Sequence, residues 1–404
     1  MTKQIMIIGG GSCGLVCGVV LGRFIAENGL NAQVTILEKK EKLGKKLLAT
    51  GNGRCNLSNR DLSMNHYEGH GLSTLGLMIQ NFDVQAFFEE LGLWSKYQGD
   101  LLYPQSEQAV SVHECLLRAL KKYRVSIICE CNVESVVKKK ENYYLYTNQK
   151  EFVCDNVVLS MGGDAASQFG SDGSGFKLLK ALGHHIYPTV PSLVQLVCRN
   201  MDKRLKGVRI HGTFKLYAAQ KEVHQEKGEI LFTEYGLSGI SILQLSRYYQ
   251  QYSDQKIEIG IDAVDQYEAS LLKEKLKWQL QQNGELQLNG IIHQKYANYL
   301  ENGRIKEYSY KDLNTIVQLL KDYRFEIMGT KGKENAQVCI GGADLSEFNT
   351  ETFESKLSAH LYAGGEILDV AGDCGGYNLH FAFACGNAIA KAIYQSLLME
   401  VETC

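Results

Sequence analysis

Three glycines and one acid carry the first chemical signal in this chain. Gly9, Gly11 and Gly14 form the spacing G-x-G-x-x-G directly after an apolar run at 5–8, and a helical pattern of Leu15, Val19, Phe24 and Ile25 follows. The first glycine permits a tight turn, the second lets the backbone approach a pyrophosphate, and the third lets the helix pack close on the strand. The unpaired N–H groups at the helix start, together with its dipole, then face phosphate oxygens. A second apolar run at 34–37 ends in Glu38, 24 residues past Gly14. An acid at about that distance takes the ribose hydroxyls in dinucleotide sites. Glycine is common, so the motif alone is weak; strand, glycines, helix, strand and acid in sequence are specific.

Two further stretches carry groups of the same kind. Residues 39–59 (KKEKLGKKLLATGNGRCNLSN) bring the cations Lys45, Lys46 and Arg54, the amides Asn52 and Asn56, and glycines including Gly53. A loop of this composition just after the ribose acid is placed to cover the rest of a dinucleotide; the alternative is a solvated basic loop. Near the end, an apolar strand at 361–365 leads to Gly372-Asp373-Cys374-Gly375-Gly376-Tyr377-Asn378-Leu379 and then to a helical run at 381–398. Backbone N–H groups at that helix start point at something electron-rich, and Asp373 can take a ligand hydroxyl. The alternative is a turn whose small residues serve packing. The strand at 157–159 also ends in glycines, Gly162 and Gly163, which suits a close backbone approach.

Acid–base candidates are fewer. Tyr377, His380 and Cys374 lie at the glycine-rich turn, although a buried structural role is the weightier reading for the tyrosine and the histidine. Cys374 sits at a helix N-terminus, where thiolate is favoured, but no second cysteine is close in sequence; Cys55 lies in the other loop. His184 and His185 read as a helix end. Arg209 and Arg324 are candidates for an anionic substrate, with a solvated surface role the stronger alternative.

The elements that must position these groups follow from the chain's length and pattern. At 404 residues, 45% of them hydrophobic, two or three domains with sizeable cores are expected. The order is βαβ, then helices, then strands feeding an open parallel sheet with a ligand at the strand C-termini. Asp83 reads as the cap of a helix bearing Val84, Phe87, Phe88 and Leu91. Two of the three prolines, Pro188 and Pro191, mark a boundary. Beyond it, 193–262 reads as an antiparallel sheet or small barrel, 266–322 as a charged helical cluster, and 324–328 as a strand returning to the sheet. The expected domains are therefore a discontinuous nucleotide domain at 1–188 and 336–404, a β-barrel-like insert at 189–265 and 323–335, and a helical subdomain at 266–322.

Net charge of −2 gives no reason to expect a nucleic acid or an anionic membrane as partner. The N-terminus lacks a signal-peptide pattern, and no run of 18 apolar residues suggests a membrane span. Twelve cysteines without C-x-x-C argue against a zinc ribbon and, in a chain of this length, against a disulfide framework; a reducing cytoplasm is expected and no metal is. Oligomeric state stays open.

At Gly9–Gly14, Glu38, Lys45-Lys46, Thr50-Gly51-Asn52-Gly53-Arg54-Cys55-Asn56 and residues 372–379, the chain resembles the BaiN/YhiN-type FAD-dependent flavoproteins. That family includes aminoacetone oxidases and a reductase of 3-dehydro bile acids. The resemblance implies an α/β fold: a glutathione-reductase-like, FAD-binding Rossmann domain interrupted by a β-barrel-like domain that carries a small helical subdomain. It implies that Gly9, Gly11, Cys13 and Gly14 hold the pyrophosphate region and Glu38 the adenosine ribose. Lys46, Asn52, Gly53, Arg54, Cys55 and Asn56 would line FAD, and Val133 would touch the adenine through its backbone. Asp373, Gly376, Asn378 and Leu379 would meet the ribityl chain and the flavin pyrimidine edge, and Gly162 is a further cofactor-binding candidate. Ser160-Met161-Gly162-Gly163 departs from the more usual Ala-Thr-Gly-Gly. The expected function is an FAD-dependent oxidoreductase acting on a small organic substrate, with NADH or NADPH as a transient donor to an enone reductase such as one for a 3-dehydro bile acid. The alternatives are a peroxide-forming amine oxidase of the aminoacetone type and a flavin-binding interaction protein without turnover. No second G-x-G-x-x-G marks a separate nicotinamide domain.

Overall fold

The computed structural model describes residues 2–302, 304–305 and 310–402. The chain forms two units, one of Met1–Val190 with Val338–Cys404 and one of Pro191–Gln337. In the first, five parallel strands lie in the order Leu361–Ala363, Asn156–Leu159, Lys3–Ile8, Ala32–Leu37, Ser126–Ile128. Ile5, Ile7, Val157, Val158 and Ile36 are fully buried, as a sheet covered on both faces requires, and this is why these strands read as continuous apolar runs. Helix Ser12–Asn28 returns over the sheet and packs along the final helix, Tyr377–Glu402. Because every strand runs the same way, the carboxyl ends meet on one edge, which brings together residues 9–14, 38, 160–163 and 364–366. Ligands of open α/β sheets bind along that edge.

Four smaller sheets accompany the parallel one among the described residues: Val133–Lys139 with Asn142–Thr147 and Phe152–Cys154; Ser58–Asn59 with Leu101–Pro104 and Ser95–Gln98; Tyr67–Glu68 with Ala371–Gly372; and Ile186–Ser192 with Val338–Ala343. The cap at Asp83 is present: its carboxylate accepts from Ala86 N at 2.9 Å and starts helix Val84–Glu90.

The second unit is a closed antiparallel barrel. Around it run Leu196–Cys198, Gly236–Ser238, Lys221–Phe232, Arg209–Ala218, Ile257–Asp262 and Tyr323–Thr330. Phe214, Leu216, Ile230, Phe232, Ile259 and Ile261 are fully buried. Between the last two strands, helices Ala269–Asn283, Gln294–Glu301 and Leu313–Lys321 add Leu272, Leu276, Ile316 and Leu320 to the same core. Tyr323–Thr330 then closes the barrel by pairing with both Ile257–Asp262 and Leu196–Cys198. The α/β class with a Rossmann-type domain and an inserted barrel is thus borne out. The run at 193–198 contributes a strand only from Leu196, because Leu193 sits at φ +52°, a left-handed conformation that no strand accommodates. Among the described residues no helix is long and apolar enough to cross a membrane.

Candidate cofactor site

The site begins where Lys3–Ile8 ends. Gly9 turns the chain at φ +102°, and the first helical bond, Leu15 N to Gly11 O at 2.9 Å, leaves the N–H groups of residues 12–14 without intrahelical acceptors. A Cβ on Gly11 would find no protein atom nearer than Ser160 O at 3.9 Å. The backbone there borders open space of the kind a pyrophosphate needs. Cys13, the second residue of that helix, is buried, and burial pushes its thiol up to about 12.

Glu38 is anchored by its own loop: Oε2 accepts from Gly10 N and Oε1 from Lys40 N, each at 2.8 Å. Each carboxylate oxygen keeps acceptor capacity for a ribose hydroxyl. The Glu38 carbonyl accepts from Cys131 N at 2.9 Å, which brings the start of the Val133 strand beside the acid.

Lys46 is directed at protein atoms. Its Nζ donates to Glu366 Oε2 at 2.7 Å and to Ala165 O at 3.1 Å. Glu366 was not among the residues the sequence singled out for the site. It follows a sheet strand at its carboxyl end, much as Glu38 does, and that was the available signal. Its Oε1 is buried without a hydrogen-bond partner.

The next loop is left-handed, with Gly51, Asn52 and Gly53 at φ +55°, +55° and +84° and Cys55 at +58°. Arg54 pairs with Glu107, donates to Gln98 Oε1 at 2.6 Å, and lies 4.4 Å from the Tyr103 ring centre. Cys55 is fully buried, and burial raises its thiol to about 12. Cys55 and Cys374 are not joined in a disulfide. Asn56 Oδ1 is buried and unpartnered.

That amide meets the second glycine-rich turn. Gly376, at φ +96°, has Asn56 Oδ1 2.8 Å and Ser58 O 2.6 Å from where a Cβ would stand, so a side chain there would close the gap. Asn378 clamps the turn, accepting from Gly372 N at 2.7 Å and donating to Gly372 O at 2.8 Å. The helix therefore begins at Tyr377, directly after the glycines where it is expected, with His380 N bonded to Gly376 O at 2.9 Å. Asp373 takes His66 Nδ1 at 2.8 Å, and the His66 ring stacks on Tyr377 at 4.5 Å. His66 too was not singled out. Leu379 is half-buried beside the turn. Gly162 lies across the sheet edge, at φ +72° and against Ser171.

Burial raises the Tyr377 phenol to about 12. His380 is buried with both nitrogens occupied: Nε2 donates to Ile79 O at 2.8 Å, so Nδ1 accepts from Ser58 Oγ at 2.7 Å. Burial lowers its pKa from 6.5. Below that value the unfolded chain takes up a proton that the folded one refuses, so stability is complete above pH 6.5 and declines as pH falls further. Denaturant titrations at pH 7.5 and 5.5 are expected to show this loss, and His380→Gln is expected to show less of it.

The donor set fits FAD. The open backbone at Gly11 suits a pyrophosphate. The orphan acceptors Glu366 Oε1 and Asn56 Oδ1 call for O–H or N–H donors, which a ribityl chain and a flavin edge possess. Arg209 and Arg324 both belong to the barrel unit, where they pair with Glu229 and Asp322.

A family model described as "HI0933-like protein Rossmann domain" matches residues 3–392. A 3-dehydro-bile acid delta(4,6)-reductase of Clostridium scindens is 34% identical, over 96% of this chain and 98% of that protein. Two proteins named ribosomal RNA dihydrouridine synthase are also similar. The one from Haemophilus influenzae is 28% identical over 96% of this chain and 98% of its own length. The one from Escherichia coli is 27% identical over 96% of both. Among solved structures, 3-ketosteroid delta1-dehydrogenase from Sterolibacterium denitrificans shares the fold. It has a TM-score of 0.50 and 12% identity, and the match covers 98% of this chain and 100% of that one.

Proposed function

The chain belongs to the HI0933-like Rossmann-domain family, and we propose that this FAD-dependent oxidoreductase adds two hydrogens across a C=C bond conjugated to a carbonyl. NADH or NADPH is the proposed electron donor and a small organic enone the proposed substrate. The observation that carries the reading is the 34% identity, over nearly all of both chains, to a reductase of a 3-dehydro bile acid. The relatives named for dihydrouridine support the same bond chemistry, since a uracil C=C also adjoins a carbonyl. They favour a second reading in which the substrate is a uracil in ribosomal RNA. The net charge of −2 favours the small molecule, because RNA binding draws on a basic surface.

In this reading the backbone at Gly9, Gly11 and Gly14 holds the pyrophosphate and Glu38 the adenosine ribose. Val133 borders the adenine, Glu366 and Asp373 take ribityl hydroxyls, and Asn56 takes an N–H of the flavin edge. Bound FAD supplies hydride transfer. The start of helix Tyr377–Glu402, with Gly375 and Gly376 admitting close approach, offers positive dipole to negative charge on the reduced ring. Eleven cysteines outside any disulfide among the described residues support a reducing compartment, the cytoplasm.

Anaerobic stopped-flow absorbance tests the reading. Mixing with NADH or NADPH is expected to bleach the flavin band, and a 3-keto-Δ4 steroid, added next, to restore it. Restoration by uridine-containing ribosomal RNA alone would select the second reading. Reduction by a small aminoketone, with peroxide on admitting air, would make the protein an oxidase. A flavin that no donor reduces would leave an interaction protein.

A further inference from the structure

His66 and His70 stand four residues apart, as do Asp369 and Asp373. Between them Ala371 pairs with Glu68 and Gly372 with Tyr67 in an antiparallel ladder. A histidine–aspartate pair closes each end: His66 Nδ1 to Asp373 Oδ2 at 2.8 Å, and His70 Nδ1 to Asp369 Oδ2 at 2.6 Å. The two pairs are not equivalent. His66 commits its second nitrogen to Asp61 at 3.0 Å and its ring to Tyr377. His70 keeps Nε2 without a partner among the described residues, and its side chain is 63% exposed.

The exposed imidazole rests on a wholly buried acid. The Asp369 side chain is 0% exposed, and a buried carboxylate is tolerated only when donors surround it. Here His70 N at 3.0 Å and Gly341 N at 2.9 Å join the imidazole. No side chain could separate these segments, since a Cβ on Gly69 would stand 2.0 Å from Asp369 O. Tyr187 fixes the ring from the other side, stacked at 4.0 Å and 15°, with its hydroxyl on Asp344 Oδ2 at 3.3 Å. With Nδ1–H donated to Asp369, Nε2 is the atom that loads and releases a proton. Asp369 lies two residues before strand Ala371–Gly372, which runs directly into the turn at 373–379.

We propose that His70 is the proton donor that completes C=C reduction, with Asp369 and Tyr187 as its positioning residues. This rests on the enone-reductase reading above. In the step, the substrate's C=C π bond breaks. The β carbon takes a hydride, with its two electrons, from reduced flavin; the α carbon takes the Nε2 proton. Imidazolium becomes imidazole and recovers a proton from water at its exposed face, and the nicotinamide donor restores the reduced flavin.

His70→Gln and His70→Ala test this in the FAD-loaded protein. Both are expected to keep wild-type FAD content and wild-type reduction by nicotinamide. Reoxidation by the 3-keto-Δ4 steroid is expected to slow about 100-fold or more, and added imidazole to recover part of the rate in His70→Ala. A readout without turnover is carbethoxylation by diethyl pyrocarbonate, mapped by mass spectrometry over the ten histidines. His70 is expected to react in the free protein and to be protected by the steroid. Wild-type reoxidation rates in His70→Gln, or carbethoxylation of His70 unaffected by the steroid, would overturn the assignment while leaving the reductase reading intact. A wild-type protein that reduces no enone would bring down both.

Discussion

Gly14→Ala is expected to yield a protein that carries almost no FAD and unfolds at lower denaturant. A Cβ at this position would lie 2.1 Å from Gly9 O, 2.6 Å from Ser160 Oγ and 3.2 Å from Ile7 Cγ2. The nearest atom is backbone and cannot rotate away. Ser160 Oγ is held by bonds to Ile8 O at 3.1 Å and Gly9 O at 2.8 Å. Helix Ser12–Asn28 must therefore back off the sheet, an overpacking strain of about 1–3 kcal/mol, and its N-terminus moves with it. Gly11→Ala separates binding from folding. That residue has φ −79°, which alanine adopts freely, and its Cβ would enter the open cradle. The apoprotein is expected to be as stable as wild type, while FAD binds at least about tenfold more weakly, or about 1.4 kcal/mol. Flavin absorbance of the purified proteins, FAD titration by fluorescence, and urea denaturation of the apoproteins read all three quantities. Normal FAD affinity in Gly11→Ala would mean that the pyrophosphate lies elsewhere.

That contrast shows what a sequence can disclose. The glycine spacing, the acid at Glu38, the cap at Asp83 and the strand that closes the barrel are local patterns whose periodicity or spacing survives in one dimension. Other features are set by partners far along the chain. Lys46 meets Glu366, His66 meets Asp373, and His70 meets Asp369, and no spacing rule links residues some 300 positions apart. Strands of two residues, Ser58–Asn59 and Tyr67–Glu68, are too short to show alternation, yet they deliver Asn56, Ser58 and His66 to the second glycine turn. The start of the last helix, expected near Gly375, falls at Tyr377. It is fixed by the side-chain clamp of Asn378 on Gly372 rather than by an apolar stripe.

Lys46→Met is expected to weaken FAD binding through a carboxylate. The ammonium donates to Glu366 Oε2 at 2.7 Å and Ala165 O at 3.1 Å, and the two side chains are only 25% and 19% exposed. Methionine keeps the apolar stem and removes the charge. Glu366 then holds a largely buried carboxylate with neither oxygen partnered, since Oε1 already lacks one. Leaving one member of such a pair costs about 2 kcal/mol at this partial burial, and Glu366 no longer presents Oε1 where a ribityl hydroxyl would meet it. Glu366→Gln on its own is expected to cost less than about 1 kcal/mol of stability, because Lys46 can turn to water, while still weakening FAD. The double variant has no stranded charge. Its stability is expected to exceed that of Lys46→Met, a coupling of about 1–2 kcal/mol, although its FAD affinity stays low. Urea denaturation of the apoproteins beside FAD titration reads this cycle. If Lys46→Met loses FAD affinity with no loss of apoprotein stability, and Glu366→Gln loses neither, the lysine acts on the dinucleotide directly and the carboxylate is a bystander.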